Sequence, residues 1–273
     1  MRFGVRWGKR IGLSIVTTLV FVALFADILA PYDVDFRNSH TLLAPPTAQH
    51  WLGTDEDGRD LFSLLLLGAK IAVMVGFGTV LFCAVVGTLV GCISGLLGSW
   101  VDEMVMRVID VVLAFPRILL AIFIIFLAQE PGVHTVILAL SVTGWAGYAR
   151  LVRAQVLVIR EKGYIQAARG FGASNSRIIV AHLLPNIAAP VIVQATFGIA
   201  GAILAEASLS FLGLGPQNSV SWGRLLDQGA VLFIKSPYVG VSAGMAIVFS
   251  VMGFSLLGDA LRDQLDVRSR NTP

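Results

Sequence analysis

IAVMVGFGTVLFCAVVGTLVGCISGLL, from Ile71 to Leu97, runs for 27 residues without a charged side chain. A helix of that length rises about 40 Å, and about 20 mostly apolar residues are enough to cross a bilayer core. The stretch reads as a membrane span, and the rest of the chain is consistent with it. Hydrophobic residues make up 56% of the 273, and charged residues only 14%. Soluble domains carry about 25% charged residues, and the mean hydropathy of +0.81 agrees with a membrane protein.

Outward from this run, five further spans are expected: Ile11–Ala30, Val108–Ala128, Val133–Leu157, Leu183–Ala205 and Tyr238–Leu257. The Val108–Ala128 span is irregular. After Arg117 only 11 apolar residues remain, too few to cross. That helix must begin earlier, and Pro116 is expected to kink it or end a preceding segment. Asp110 and Arg117 then sit near an interface or inside the bundle, two turns apart and unable to pair with each other.

Six spans place both termini on one side, and Lys/Arg bias says which. With a cytoplasmic N-terminus, inside segments hold fourteen Lys/Arg and outside segments five, with Arg117 unassigned. The expected organisation is a cytoplasmic start (1–10), a first transmembrane helix (11–30), a periplasmic loop (31–70), a five-helix core (71–265) and a cytoplasmic tail (266–273). The long inner loop of the core covers 158–182. The first 30 residues also have the basic start and apolar run of a signal peptide, but the run is long for one and no A-x-A site follows.

The inner loop reads Arg160-Glu161-Lys162-Gly163-Tyr164-Ile165-Gln166-Ala167-Ala168-Arg169-Gly170-Phe171-Gly172-Ala173-Ser174, then His182-Leu183-Leu184-Pro185-Asn186. Two alanines leave a small, flat surface, and Gly172 suits a helix stop. Such a helix offers a compact knob to a partner protein, or it lies on anionic lipid through its basic residues. The stretch resembles the EAA loop of binding-protein-dependent ABC permeases, with Ala167, Ala168, Gly172, Leu184 and Pro185 in register. Gln166 stands where the general pattern has Glu, and His182 where it has Ile. The amide has lost the charge but still hydrogen-bonds. Gln49 to Asp60, Leu209 to Gly215 with Trp222-Gly223, and Leu257 to Asp266 are similar to segments of the dipeptide, oligopeptide and nickel permeases, in the order found in their second, C-type, subunit.

The resemblance implies an all-α integral membrane protein with the type I (MetI-like) importer fold, in the bacterial inner membrane. It implies a second permease subunit, one or two kinds of cytoplasmic ATPase subunit holding the ATP and Mg, and an external substrate-binding protein. It further implies that the inner-loop helix seats on an ATPase, with Gln166, Ala167, Ala168 and Gly172 in contact and Arg169 and Gly170 between them. Peptides are the first expected cargo, and nickel or a metal chelate the second.

Other residues are open to two readings. Gly87, Gly91 and Gly95 share a helix face and permit close packing, within the subunit or onto the second permease. Glu206 lies near the outer end of its span, where it lines a path or is simply solvated. Asp55, Glu56, Asp57 and Asp60 fail the EF-hand template and suit a turn. Cys83 and Cys92 fall on opposite helix faces and should not pair. There is no G-x-x-x-x-G-K-[ST], so ATP hydrolysis by that route is not expected, and no cluster suits zinc. A secondary transporter would need ion-coupling charges at mid-depth, which are few.

Overall fold

The computed structural model describes residues 2–33, 41–128, 132–217 and 219–270, and among these it is a helical bundle without β-strands. Residues 34–40 of the outer loop, including Arg37 and His40, and tail residues 271–273 lie outside the described residues. The helices are α1 (Arg2–Leu29), α2 (Leu61–Leu97), α3 (Ser99–Ala114), α4 (Arg117–Leu127), α5 (Val133–Ile159), α6 (Gly163–Gly170), α7 (Asn175–Ile178), α8 (Leu184–Phe211), α9 (Trp222–Val231) and α10 (Pro237–Arg270). A single π-helical stretch, Ile179–Leu183, joins α7 to α8. Among the described residues five helices are long and apolar enough to cross a membrane, giving up to six spans if the bent α3–α4 pair counts as one.

That pair turns through 85° at Phe115–Pro116. Pro116 has no N–H to continue a helix, and its ring pushes the preceding residue out of the helical region. Phe115 accordingly adopts ψ 137°. The predicted span is therefore a broken one, made of the 16-residue α3 and the 11-residue α4.

α2 starts at Leu61, ten residues before the uncharged run, so 61–70 are helix and not loop. The cause is Asp60. Its carboxylate accepts the Ser63 N–H and hydroxyl, both at 2.8 Å, and faces His50 Nδ1 at 2.9 Å. A side chain that satisfies an orphan N–H sets a helix start more firmly than hydropathy does. Lys70, inside α2, reaches Asp27 of α1 at 2.5 Å. The acidic cluster is the rest of this cap: Asp55, fully buried, accepts the N–H groups of Asp57 and Arg59 and pairs with the Arg59 guanidinium at 2.6 Å.

α2 and α5 pack along the glycine stripe. An added Cβ at Gly87 would lie 2.4 Å from Tyr148 Cβ, at Gly91 2.5 Å from the Ala149 carbonyl, and at Gly95 2.8 Å from Val156. The stripe thus faces a helix of the same chain. α1 is held to α10 in the same way, through Gly12 and Gly253. Cys83 and Cys92 are both buried and free, in separate clusters.

Candidate coupling surface

At the Lys/Arg-rich end of the bundle, α6 is a two-turn helix held from one side only. Ile165 is fully buried against Cys92, Val156, Ile159 and Leu183. Every other residue of α6 is exposed or half-buried. The helix stops by a Schellman arrangement: Gly172 N–H donates to the Arg169 carbonyl at 2.9 Å and Ala173 N–H to Ala168 at 3.0 Å. Gly172 takes φ +81°, the left-handed conformation that this stop demands and that a Cβ resists. A Cβ at Gly163, Gly170 or Gly172 would meet nothing within 4 Å, so these glycines look onto open space.

The expected contact residues are brought together here. Ala167 is exposed and Ala168 half-buried on the short helix. Gln166 donates its side-chain amide to the Glu161 carbonyl at 3.3 Å, a bond that a carboxylate could not donate. Arg169 lies in the last turn, where its charge suits the helix dipole. Leu184 and Pro185 open α8, directly after the π stretch. Pro185 supplies no N–H there, and Leu184 N–H bonds back to Ile179 in the wider π pattern. His182, in that stretch, has its ring 6.1 Å from that of Tyr164 on α6. One residue of this surface was not singled out in the sequence: Phe171, the C-cap, is 93% exposed at the tip. Its signal was an aromatic between two glycines in a basic loop.

The mount under α6 is polar. Arg160 donates to the Gly95 carbonyl at the end of α2, at 2.9 Å. Arg153 of α5 grips Asp102 of α3 through two nitrogens, one at 2.6 Å, and Ser94 of α2 bonds the same carboxylate. A fork-to-carboxylate pair fixes orientation as well as distance. Three helices are thus tied where α6 begins.

Glu206 sits at the other end of the bundle. Its side chain is 1% exposed and one carboxyl oxygen accepts both Ser210 at 2.6 Å and Ser221 at 2.7 Å. Ser221 in turn caps α9 by accepting Gly223 N–H at 3.1 Å. The residue is not solvated in this conformation; it ties α8 to α9. The Trp222-Gly223 pair completes the clasp. Trp222 donates to the Leu65 carbonyl at 2.9 Å, against Gly68, and a Cβ at Gly223 would lie 2.1 Å from the Ala207 carbonyl. Glu206→Leu leaves two buried hydroxyls without their acceptor and is expected to cost about 2–3 kcal/mol. Glu206→Gln keeps an acceptor oxygen and should cost less. Thermal unfolding in detergent reads both, and an unchanged midpoint for Glu206→Leu would remove the clasp.

The bundle has the fold of an ABC-transporter permease. A solved chain from the MetNI methionine ABC transporter, in inward-facing conformations, superposes with a TM-score of 0.63 over 75% of this chain and 97% of its own, at 20% identity. Residues 87–271 match the family described as binding-protein-dependent transport system inner membrane component, and 7–46 match the N-terminal TM domain of oligopeptide transport permease C. The chain belongs to this family of binding-protein-dependent ABC permeases, as a C-type subunit. It is similar to the dipeptide transport system permease protein DppC of Alkalihalophilus pseudofirmus, 39% identical over 96% of this chain and 86% of that protein. The probable D,D-dipeptide transport system permease protein DdpC of Escherichia coli is 38% identical over 93% and 86%. The glutathione transport system permease protein GsiD of Shigella dysenteriae is 40% identical over 92% and 83%. In such a permease the ATP is hydrolysed by a separate subunit.

Proposed function

We propose that this chain is one of two permease subunits that carry small peptides inward across the bacterial inner membrane. It works with one or two kinds of cytoplasmic ATPase subunit and an external substrate-binding protein. ATP and Mg belong to the ATPase. The cargo reading rests on relatives whose names specify dipeptides and glutathione. The orientation rests on the Lys/Arg bias, which puts both termini and α6 in the cytoplasm.

The observation that carries the mechanism is the mounting of α6. It is exposed on all sides but the one that Ile165 buries, it stops at Gly172, and it follows Arg160, which bonds the end of α2 beside the Arg153–Asp102–Ser94 tie of α5, α3 and α2. Gln166, Ala167, Ala168, Gly170, Phe171 and Gly172 would enter a cleft on the ATPase. Closure of the ATPase pair would then move α6 as a lever on those helix ends, a rigid-body step between two packed states.

The full complex in proteoliposomes, with its binding protein, is expected to take up radiolabelled dipeptide only when ATP is supplied on the α6 side. Uptake without the ATPase subunits would point to a secondary transporter, and uptake of nickel but not peptide would move the cargo to the metal branch. Single cysteines at 163–176 should crosslink to the ATPase; labelling of these positions from the periplasmic face would reverse the orientation and end the coupling role.

A further inference from the structure

The bend at Pro116 leaves α4 too short to cross a bilayer by itself. α4 has 11 residues and is about 16 Å long, roughly half the thickness of a bilayer core of about 30 Å. Arg117 is its first residue. A cation at the middle of a bilayer core costs about 2.5–3.5 kcal/mol on insertion scales, so one carried by a half-length helix needs a polar surrounding. Among the described residues no acid pairs with it: Asp110, seven residues earlier, pairs with Arg150 at 2.6 Å instead.

Arg117 borders a cleft of about 400 Å³ between α2, α4, α5 and α8. The lining includes Thr79, Thr143, Tyr148 and Gln194, and no Asp or Glu. Thr79 is 5% exposed, and its hydroxyl has no hydrogen-bond partner. A buried hydroxyl without a partner is costly unless something brings one. The start of α4 adds to this, because Pro116 gives it no side-chain cap and its first N–H groups carry the positive end of the helix dipole. The opposite wall is glycine: Gly147 lies under the guanidinium, and a Cβ at Gly201 would meet nothing within 4 Å. The lining therefore combines one exposed cation, a threonine whose buried hydroxyl has no partner, and a helix N-terminus, with no Asp or Glu among the described residues that line it.

We propose that this cleft is an anion subsite on the translocation path, in which Arg117, Thr79 and the start of α4 receive the carboxylate of a peptide in transit. The proposal rests on the peptide-import reading. It gives the cation its counter-charge only while cargo passes, so the site holds the cargo briefly and releases it. Free carboxylates are present on every unmodified peptide, so such a site would not select sequence.

The test uses the complete complex with its binding protein, and two probes, alanyl-alanine and its C-terminal amide. The quantity read is the ratio of their uptake rates, compared between wild type and variants. Selection by the binding protein is the same in each and cancels. Arg117→Gln is expected to lower carboxylate uptake about tenfold, the lower end of what one charge-assisted hydrogen bond contributes, and amide uptake little. Arg117→Lys should recover much of the ratio. ATP hydrolysis stimulated by the loaded binding protein should persist in both, which shows that the complex has assembled. Gly201→Leu fills the cleft and should lower uptake of both probes alike. An unchanged ratio in Arg117→Gln, or full uptake in Gly201→Leu, overturns the subsite while peptide import stands. A wild-type complex that carries neither probe overturns the peptide reading and this inference with it.

Discussion

Gly170→Trp is expected to abolish cargo-stimulated ATP hydrolysis and uptake while the chain still inserts and folds. Inside this subunit the substitution is harmless: a Cβ at Gly170 meets no atom within 4 Å, and the residue has ordinary helical geometry. An indole there would project from the end of α6 into the space proposed for the ATPase. Excluding a partner from a central contact should cost about 2 kcal/mol or more, some thirtyfold in affinity. Ala168→Trp should behave likewise. Gly172→Val acts by a second route. Its Cβ also meets open space, but φ +81° is strained for a β-branched residue by about 1–2 kcal/mol, so the Schellman stop loosens. The two can be separated. Gly170→Trp should weaken ATPase binding in a pull-down, whereas Gly172→Val should keep more of the binding and reduce coupling. Normal stimulated hydrolysis in Gly170→Trp, with intact insertion, would place the docking surface elsewhere.

What the sequence disclosed, and what it withheld, follows from the range of each interaction. The uncharged run of α2, the Lys/Arg asymmetry and the break at Pro116 are properties of consecutive residues, and they can be read without contacts. The glycine spacing of Gly87, Gly91 and Gly95 showed a close face but not what it faces; only the fold brings α5 there. The start of α2 at Leu61 was hidden because hydropathy marks where lipid begins, while the Asp60 cap marks where the helix begins. Glu206 was left open between a path and solvent by the same limit. A carboxyl at the end of a span looks solvated until Ser221, 15 residues later, is known to close over it. The short helix α9 gave no apolar run to notice, since it is held by Trp222 on Leu65 and by glycine contact, all distant in sequence. Arg117 was legible as a misfit, a charge that no span assignment could absorb. Its meaning needed the cleft and the unpaired hydroxyl of Thr79.

The second large effect is expected from Gly91→Leu, which should leave little folded protein in the membrane. Between helices in lipid there is no water to expel, so association depends on close packing and is lost when backbones are held apart. At Gly91 the obstacle is backbone: an added Cβ lies 2.5 Å from the Ala149 carbonyl, 2.8 Å from Val152 Cβ and 3.0 Å from Arg153 N–H. No rotamer change relieves a clash with a carbonyl, so α5 itself must move. Overpacking a core costs about 1–3 kcal/mol when side chains can adjust, and a leucine against rigid backbone should exceed that range. The displacement would not stay local. Arg153, beside the clash, holds Asp102 of α3, and Arg160, two turns on, holds Gly95 of α2, so the mount of α6 shifts with α5. Gly91→Ala is the graded case. It should lower the unfolding midpoint in detergent, and its remaining folded fraction should show reduced coupling of ATP hydrolysis to uptake. Gly201→Ala provides the contrast, because its Cβ has room and the change favours helix by about 0.5–1 kcal/mol. Its midpoint should hold or rise. Equal midpoints for Gly91→Ala and Gly201→Ala would mean that α2 and α5 do not meet along this stripe.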